Sequence, residues 1–411
     1  MMKIALLSLS SPVHNKEKID NTLDDYMGKL NEYLDFDEIE IENFDREFNS
    51  YDLVLTFVKT GGTENIFKEH FSRIPQPIYL LTTSLHNSLP AALEIMNFIQ
   101  ENGGDGRIFH GEPARLAKQV SEFVKFKQAE NTISGNKIGV FGNPSDWLIA
   151  SNVNYREAEK NWGIDFEEIS MEEIYEHWQK MDSTEEINSI AEDFIDLSVE
   201  MIENNENDVR KASKLYLALK EIVAERNMDA LTLRCFDLLD ELETTGCLAL
   251  SRFNDKGIIA GCEGDIPATF TMLLVYNLTD ELSFMSNPIS IDPCSNMVKF
   301  AHCTVPTSIC NKYISRSHFE SGIGVGVQGI IPKGPVTVIK VGGDSLKNYF
   351  VAGGVVKNNL NDPNACRTQI VVEFENDISD YFLKNPLGNH HIIVPGNYSE
   401  LLQNFFKQYL N

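Results

Sequence analysis

Two acids stand inside an otherwise apolar run, "KGIIAGCEGDIPATFTMLLVYNL", residues 256–278. Carboxylates are rarely buried without a partner, so Glu263 and Asp265 call for an explanation. Asp265 has a local one. It precedes "IPATFTMLLVYNL", which reads as a helix with Pro267 in its first turn, and Asp is a favoured N-cap. Glu263 has no capping role. A glutamate that ends the apolar strand "GIIAGCE" needs a cation or a hydrogen-bond donor, and it is the leading candidate for function. Both acids lie where a parallel strand gives way to a helix, the edge at which open α/β sheets bind ligands.

Four of the nine histidines, His302, His318, His390 and His391, fall in the last 110 residues. "RSHFESG" sets His318 beside Glu320, and "GNHHIIV" carries the adjacent pair. Taken singly, each reads better as a structural histidine than as a ligand. Taken with a strand-end glutamate, the set is metal-site chemistry suited to Mn2+, Mg2+ or Zn2+. "TGGTE" places Gly61 and Gly62 between a strand and a helix. Backbone amides there suit a phosphate or a sugar hydroxyl, and the competing reading is a tight turn capped by Thr63. "GVGVQG" matches a dinucleotide-binding spacing, but strand and turn follow it instead of a helix, so it is read as glycine-rich strand packing.

The elements that must position these residues fall into three stretches. Residues 1–132 alternate strand and helix patterns, as in "KIALLSL", "YDLVLTFVKTGGTENIFKEHF" and "PIYLLTTSLHNSLPAALEIMNFIQ", the last with Ser88 as expected N-cap. The alternation restarts near 133 with "KIGVFG" and runs to 282, including two acidic amphipathic helices. From 283 to 411 the chain is rich in short strands separated by turns, with a closing amphipathic helix. The expected fold is two tandem Rossmann- or flavodoxin-like α/β domains followed by a β-rich, barrel-like domain, with Glu263 at the end of the second sheet facing the third domain.

With 42% hydrophobic and 23% charged residues, 411 residues suffice for two or three globular domains. A formal net charge of −26 disfavours nucleic acid and anionic membranes as partners. Seven cysteines without a CxxC pair, and a start that lacks a cleavage site, point to reduced thiols in the cytoplasm. No run of about 18 apolar residues is present to span a membrane.

The stretches "CEGDIPATFTMLL", "FMSNP", "AHCTVP", "RSHFESG" and "GNHHIIVPGN" together resemble the L-fucose isomerase/L-arabinose isomerase superfamily. The resemblance covers the second and third domains closely and the first by architecture. It implies aldose–ketose interconversion through an enediol, with a divalent metal, usually Mn2+, bound between the domains. Carried over by position, Glu263 falls on the family's glutamate that is both ligand and acid/base. His390 falls on its histidine ligand, with His391 as the alternative. The family's second acid falls on Asn287, an amide that cannot act as a base. His318 becomes a candidate ligand, Asp265, His302, His318 and Glu320 become candidates to make up the loss, and His302, Glu320 and His391 are candidate sugar contacts. The resemblance further implies a small sugar or sugar derivative as partner and a closed homo-oligomer. The alternative is a sugar-binding or regulatory relative that lacks isomerisation because of Asn287.

Overall fold

The structure, a computed structural model, describes residues 3–43 and 51–409. The chain divides into two compact units, residues 1–128 and 129–411. The first unit contains β1 (Ile4–Leu9), α1 (Lys16–Tyr33), β2 (Asp37–Glu40), β3 (Leu53–Val58), α2 (Glu64–His70), β4 (Ile78–Thr82), α3 (Ser88–Glu101), β5 (Gly106–His110) and most of α4 (Pro113–Ile133). Its strands are all parallel in the order β2-β1-β3-β4-β5, the flavodoxin-like order. Separate apolar clusters cover the two faces, which is why β1, β3 and β4 read as unbroken apolar runs. One local expectation is corrected here. Ser88 is the first residue of α3, and Asn87 precedes it in a left-handed conformation (φ 57°). The Ser88 hydroxyl is taken up by the backbone ends of two strands, donating to Val58 O and accepting from Thr83 N.

The second unit opens with β6 (Lys137–Phe141), α5 (Tyr155–Trp162), β7 (Asp165–Ile169), α6 (Met171–Lys180), α7 (Thr184–Leu197), β8 (Met201–Ile202) and α8 (Glu206–Glu225). It continues with β9 (Ala230–Leu233), α9 (Leu238–Leu242), α10 (Cys247–Asp255), β10 (Ile259–Cys262) and α11 (Ile266–Thr279). These give a second parallel sheet of order β10-β9-β6-β7. Then follow β11 (Phe284–Asp292), β12 (Met297–His302), β13 (Lys312–Arg316), β14 (Gly326–Ile330), β15 (Gly334–Gly342), β16 (Asn348–Asn359), β17 (Thr368–Phe374), α12 (Ser379–Lys384), β18 (His391–Pro395) and α13 (Ser399–Tyr409).

Six of these strands close into an antiparallel barrel, β11-β12-β17-β16-β15-β18, and closure leaves no unpaired edge. The fold is therefore mixed α/β, with two parallel Rossmann-like sheets and a C-terminal barrel. Within the second unit, β13 pairs parallel with β8 in a separate three-stranded sheet, β14-β13-β8, and sheet and barrel are joined in two ways. Trp162 of α5 stacks on Tyr409 of α13 and meets Phe270 of α11 edge-on. Between sheet and barrel, α11 is buried nearly all round, and its Thr271 hydroxyl accepts the β15 amide of Val341 at 3.0 Å. Among the described residues, no helix is long and apolar enough to cross a membrane.

Candidate active site

Strand β10 ends at Cys262, and the next two residues both turn left-handed, Glu263 at φ 62° and Gly264 at φ 71°. Such a conformation is uncommon for a glutamate and concentrates at functional sites. It is held by neighbours: Glu263 O accepts the Ser145 amide at 2.9 Å, and Gly264 N donates to Leu233 O at 3.0 Å. A Cβ on Gly264 would lie 2.8 Å from both Asn143 O and Pro144 Cα, which are backbone atoms that cannot swing aside. Gly264→Ala is accordingly expected to lower stability by about 2–3 kcal/mol, through steric conflict plus a disfavoured φ. A chemical-denaturation midpoint equal to that of the parent protein would contradict this.

The Glu263 side chain, 12% exposed, meets three groups. The Trp147 indole N–H donates to its Oε2 at 2.7 Å from the loop after β6. Its Oε1 lies 3.4 Å from His390 Nε2 and 3.7 Å from His302 Nε2. Burial opposes ionisation of Glu263, but the bonding and charge of His302 and His390 outweigh it and hold the carboxyl well below the usual carboxylate range. The two rings differ. Burial lowers the pKa of His302, despite Glu263, and favours its neutral form. Burial also acts against a charge on His390, but Asp265 and Glu263 together hold it up, to about 9. The Thr304 amide donates to His302 Nδ1 at 3.3 Å. In this arrangement the His302 proton sits on Nε2, facing Glu263, and a cation there would require the Thr304 contact to be given up.

Asp265 caps α11, its Oδ1 accepting the Ala268 amide at 2.9 Å. Its Oδ2 meets His390 Nδ1 at 2.9 Å and Lys340 Nζ at 3.6 Å. Burial would raise its pKa; the Lys340 charge and the His390 bond bring it down to about 2. The acid is thus a support behind His390, and both are completely buried. A carboxylate on the far nitrogen of a histidine fixes which nitrogen faces a ligand.

The barrel delivers the remaining groups to one rim. His302 ends β12, and His390 immediately precedes β18. Asn287 on β11 pairs with Ala301, the neighbour of His302, and lies one residue beyond the paired Ser286 and His391. Its Oδ1 is buried without a hydrogen-bond partner. Residues Glu263, His302 and His390 each offer a ligand atom, all within 4.8 Å of one another. His390 Nε2 also lacks a hydrogen-bond partner. An N,N,O donor set with an orphaned buried nitrogen fits a divalent cation.

The other sequence candidates are placed as follows. His318 is buried beside the site, its Nδ1 3.0 Å from Ser321 Oγ and its ring edge-on to Phe236. Burial and the nearby His302 lower its pKa to about 4. Glu320 is exposed, and its pKa is raised by partial desolvation and by the charge of Glu263. His391 sits in an aromatic nest with Phe300, Phe382 and Tyr381, bonded to the Tyr381 hydroxyl at 2.8 Å, and burial lowers its pKa to about 3. Gly61 and Gly62 belong to the first unit, where Gly61 N donates to His86 O at 2.8 Å and Gly62 is left-handed. Trp147 and Lys340 went unnoticed in the sequence. The signal for Trp147 is its place in "NPSDW", just past the end of a parallel strand. For Lys340 it is a lone cation within the apolar strand "PVTVIKVGG".

Comparison with known proteins adds an independent finding. Residues 141–280 match the L-arabinose isomerase central domain. Sulfoquinovose isomerases from Priestia aryabhattai and Priestia megaterium (strain ATCC 12872 / QMB1551) are each 24% identical over 267 residues, 62% of this chain and 58% of theirs. The sulfoquinovose isomerase of Clostridium sp. (strain MSTE9) is 25% identical over 272 residues, 62% of this chain and 59% of its own. These matches span less than two thirds of the length of the curated relatives. The matched stretch contains β9, β10, α11 and the Glu263 turn. With its parallel sheets and closed barrel, the chain is similar to the arabinose isomerase central domain over residues 141–280 and to sulfoquinovose isomerases over about three fifths of its length.

Proposed function

We propose that this protein is a metal-dependent aldose–ketose isomerase acting on an anionic sugar derivative of the sulfoquinovose type. The observation that carries the reading is the convergence of a strand-end glutamate with two barrel histidines, one of them with an unpartnered buried nitrogen. The sugar class is suggested by the relatives, which are named sulfoquinovose isomerases.

Residues Glu263, His302 and His390 would hold the divalent ion, with Mn2+ the expected choice. When bound, it would neutralise the negative charge that develops on the sugar oxygens. Isomerisation moves a proton between adjacent carbons through an enediol. Glu263 is the carboxylate placed to carry that proton, its Oε2 steered by the Trp147 indole. Asp265 is committed to α11 and His390 and is not free to take a proton from substrate. Asn287 can present an amide to a sugar oxygen but cannot move a proton. A binding-only reading rests on that last point, since the pair of acids expected of the family is reduced to one at this rim.

Turnover separates the two readings. Protein purified after growth with Mn2+ is expected to retain the metal, to convert an anionic aldose to its ketose, and to lose conversion on chelation with recovery on Mn2+ addition. Proton exchange at the carbon beside the carbonyl, followed by NMR in D2O, reports the enediol step directly. Stoichiometric metal without turnover on a panel of neutral and anionic aldoses and ketoses would favour the binder, and absence of both would remove the proposal. The same reading expects a closed homo-oligomer in the cytoplasm; light scattering checks the assembly.

A further inference from the structure

The barrel strand β15 buries a lysine. Lys340 is 1% exposed, its Nζ has no hydrogen-bond partner, and the acid it faces is Asp265 Oδ2 at 3.6 Å. Removing an ammonium from water is costly, and a long, imperfect contact does little to recover that cost. A barrel stabilised by packing alone would place an apolar residue there, as the same strand does at Val338, Ile339 and Val341. The lysine therefore needs a reason beyond packing.

The reason lies one contact away. Asp265 Oδ2 has two neighbours, Lys340 Nζ and His390 Nδ1, and its Oδ1 is fixed on the α11 amide of Ala268. All three side chains are at most 1% exposed, so no solvent competes. We infer that Lys340 is a positioning residue: its ammonium is the counter-charge that keeps Asp265 on His390 Nδ1, and so holds His390 Nε2 toward Glu263. The chain of charge runs Lys340, Asp265, His390, Glu263, from the barrel wall to the rim. Lys340 acts through Asp265, since His390 Nδ1 is bonded to that carboxylate. The neighbouring amide of Val341 is anchored on Thr271 of α11, which fixes the strand against the same helix that Asp265 caps. This inference rests on the proposed metal-binding role of His390 for its functional meaning, but the hydrogen bond it concerns can be measured without metal or substrate.

The experiment uses the full-length protein with Lys340→Met, Asp265→Asn and the double variant. Removal of both charges guards against misfolding, because Asn is also a good N-cap and neither residue is left as a lone buried ion. The first readout is the proton NMR signal of the His390 Nδ1–H, assigned with 15N-histidine and His390→Gln. A downfield, slowly exchanging proton is expected in the parent and is expected to be lost or to exchange rapidly in Lys340→Met. The second readout is Mn2+ affinity by calorimetry, expected to fall about 10–100-fold in Lys340→Met. In the Asp265→Asn background, adding Lys340→Met should change the affinity less than about threefold, because a residue acting through Asp265 has nothing left to act upon.

An unchanged His390 proton in Lys340→Met would overturn the inference. So would an undiminished Mn2+ affinity, or additive losses in the double variant. A purely structural lysine would lower the melting temperature and leave the proton signal and the affinity alone. If the parent binds no divalent metal, the metal reading of the site fails, and the NMR comparison still decides the role of Lys340.

Discussion

Glu263→Gln is expected to lower isomerase turnover by about a thousandfold or more, with a parallel loss of Mn2+ affinity. The substitution keeps the shape of the side chain, so the left-handed turn and the Trp147 contact have a partner of the same size. It removes two properties together. An amide neither takes up nor releases a proton near neutral pH, and positioned acid–base catalysis contributes on the order of 10²–10⁴ in rate. An amide oxygen is also a weaker ligand than a carboxylate for a divalent cation. The assay is ketose formation at saturating substrate over a range of Mn2+ concentrations. A rate restored by excess metal would reduce Glu263 to a ligand. A rate within tenfold of the parent at all concentrations would show that the chemistry lies elsewhere.

Acid is expected to destabilise the protein well before its carboxylates protonate. His391 and His318 are buried and neutral, with pKa values lowered to about 3 and about 4 from 6.5. The unfolded chain takes up these two protons as pH falls through about 6.5, while the folded chain resists until about 4 and then about 3. Stability is therefore lost over that interval, by roughly 3–5 kcal/mol for each histidine. Two other groups act differently. Asp265, lowered to about 2, contributes stability that is present above its unfolded pKa of about 3.8 and is lost as pH falls toward 2. His390, raised to about 9, contributes stability that is full below 6.5 and is lost as pH rises through 9. Denaturant midpoints of chelator-treated protein should fall steeply from pH 6.5 to 4. The slope should ease in His391→Phe, which keeps an aromatic ring in the nest of Phe300, Phe382 and Tyr381. A flat profile over that range would contradict the buried-neutral assignment.

Local order was the legible part of the sequence. The switch from an apolar strand to a Pro-containing helix announced the Glu263 turn, and the Asp-Ile-Pro start identified the cap that the structure shows. The parallel sheets were readable because strands covered on both faces are apolar throughout. Elements with mixed patterns were missed. Among them are β11, which begins buried and ends exposed, and α10, whose "CLALSRFND" carries an apolar start and a polar end.

At the site, distance in sequence was the obstacle. The Trp147–Glu263 bond spans 116 residues, and no spacing rule links a loop indole to a distant strand end. His302 was a candidate sugar contact or stand-in for the lost acid, and the structure joins it to Glu263 and His390 in one cluster because β12 runs to the same rim that precedes β18. Lys340 went unnoticed because alternation ordinarily sends a strand lysine to solvent, and the closed barrel turns it inward.

Asp265 serves two masters, the first turn of α11 and the far side of an imidazole. Any substitution there must satisfy an amide donor and a histidine at once, so few residue types qualify, and drift at this position is penalised twice. The arrangement also makes the imidazole a gauge of helix register. If α11 slid by a fraction of a turn against the barrel, the carboxylate would move with it and His390 would lose its bearing. Docking of the sheet layer onto the barrel and readiness of the rim for a ligand thereby become a single event, and a chain that has docked wrongly is silent rather than wrongly active.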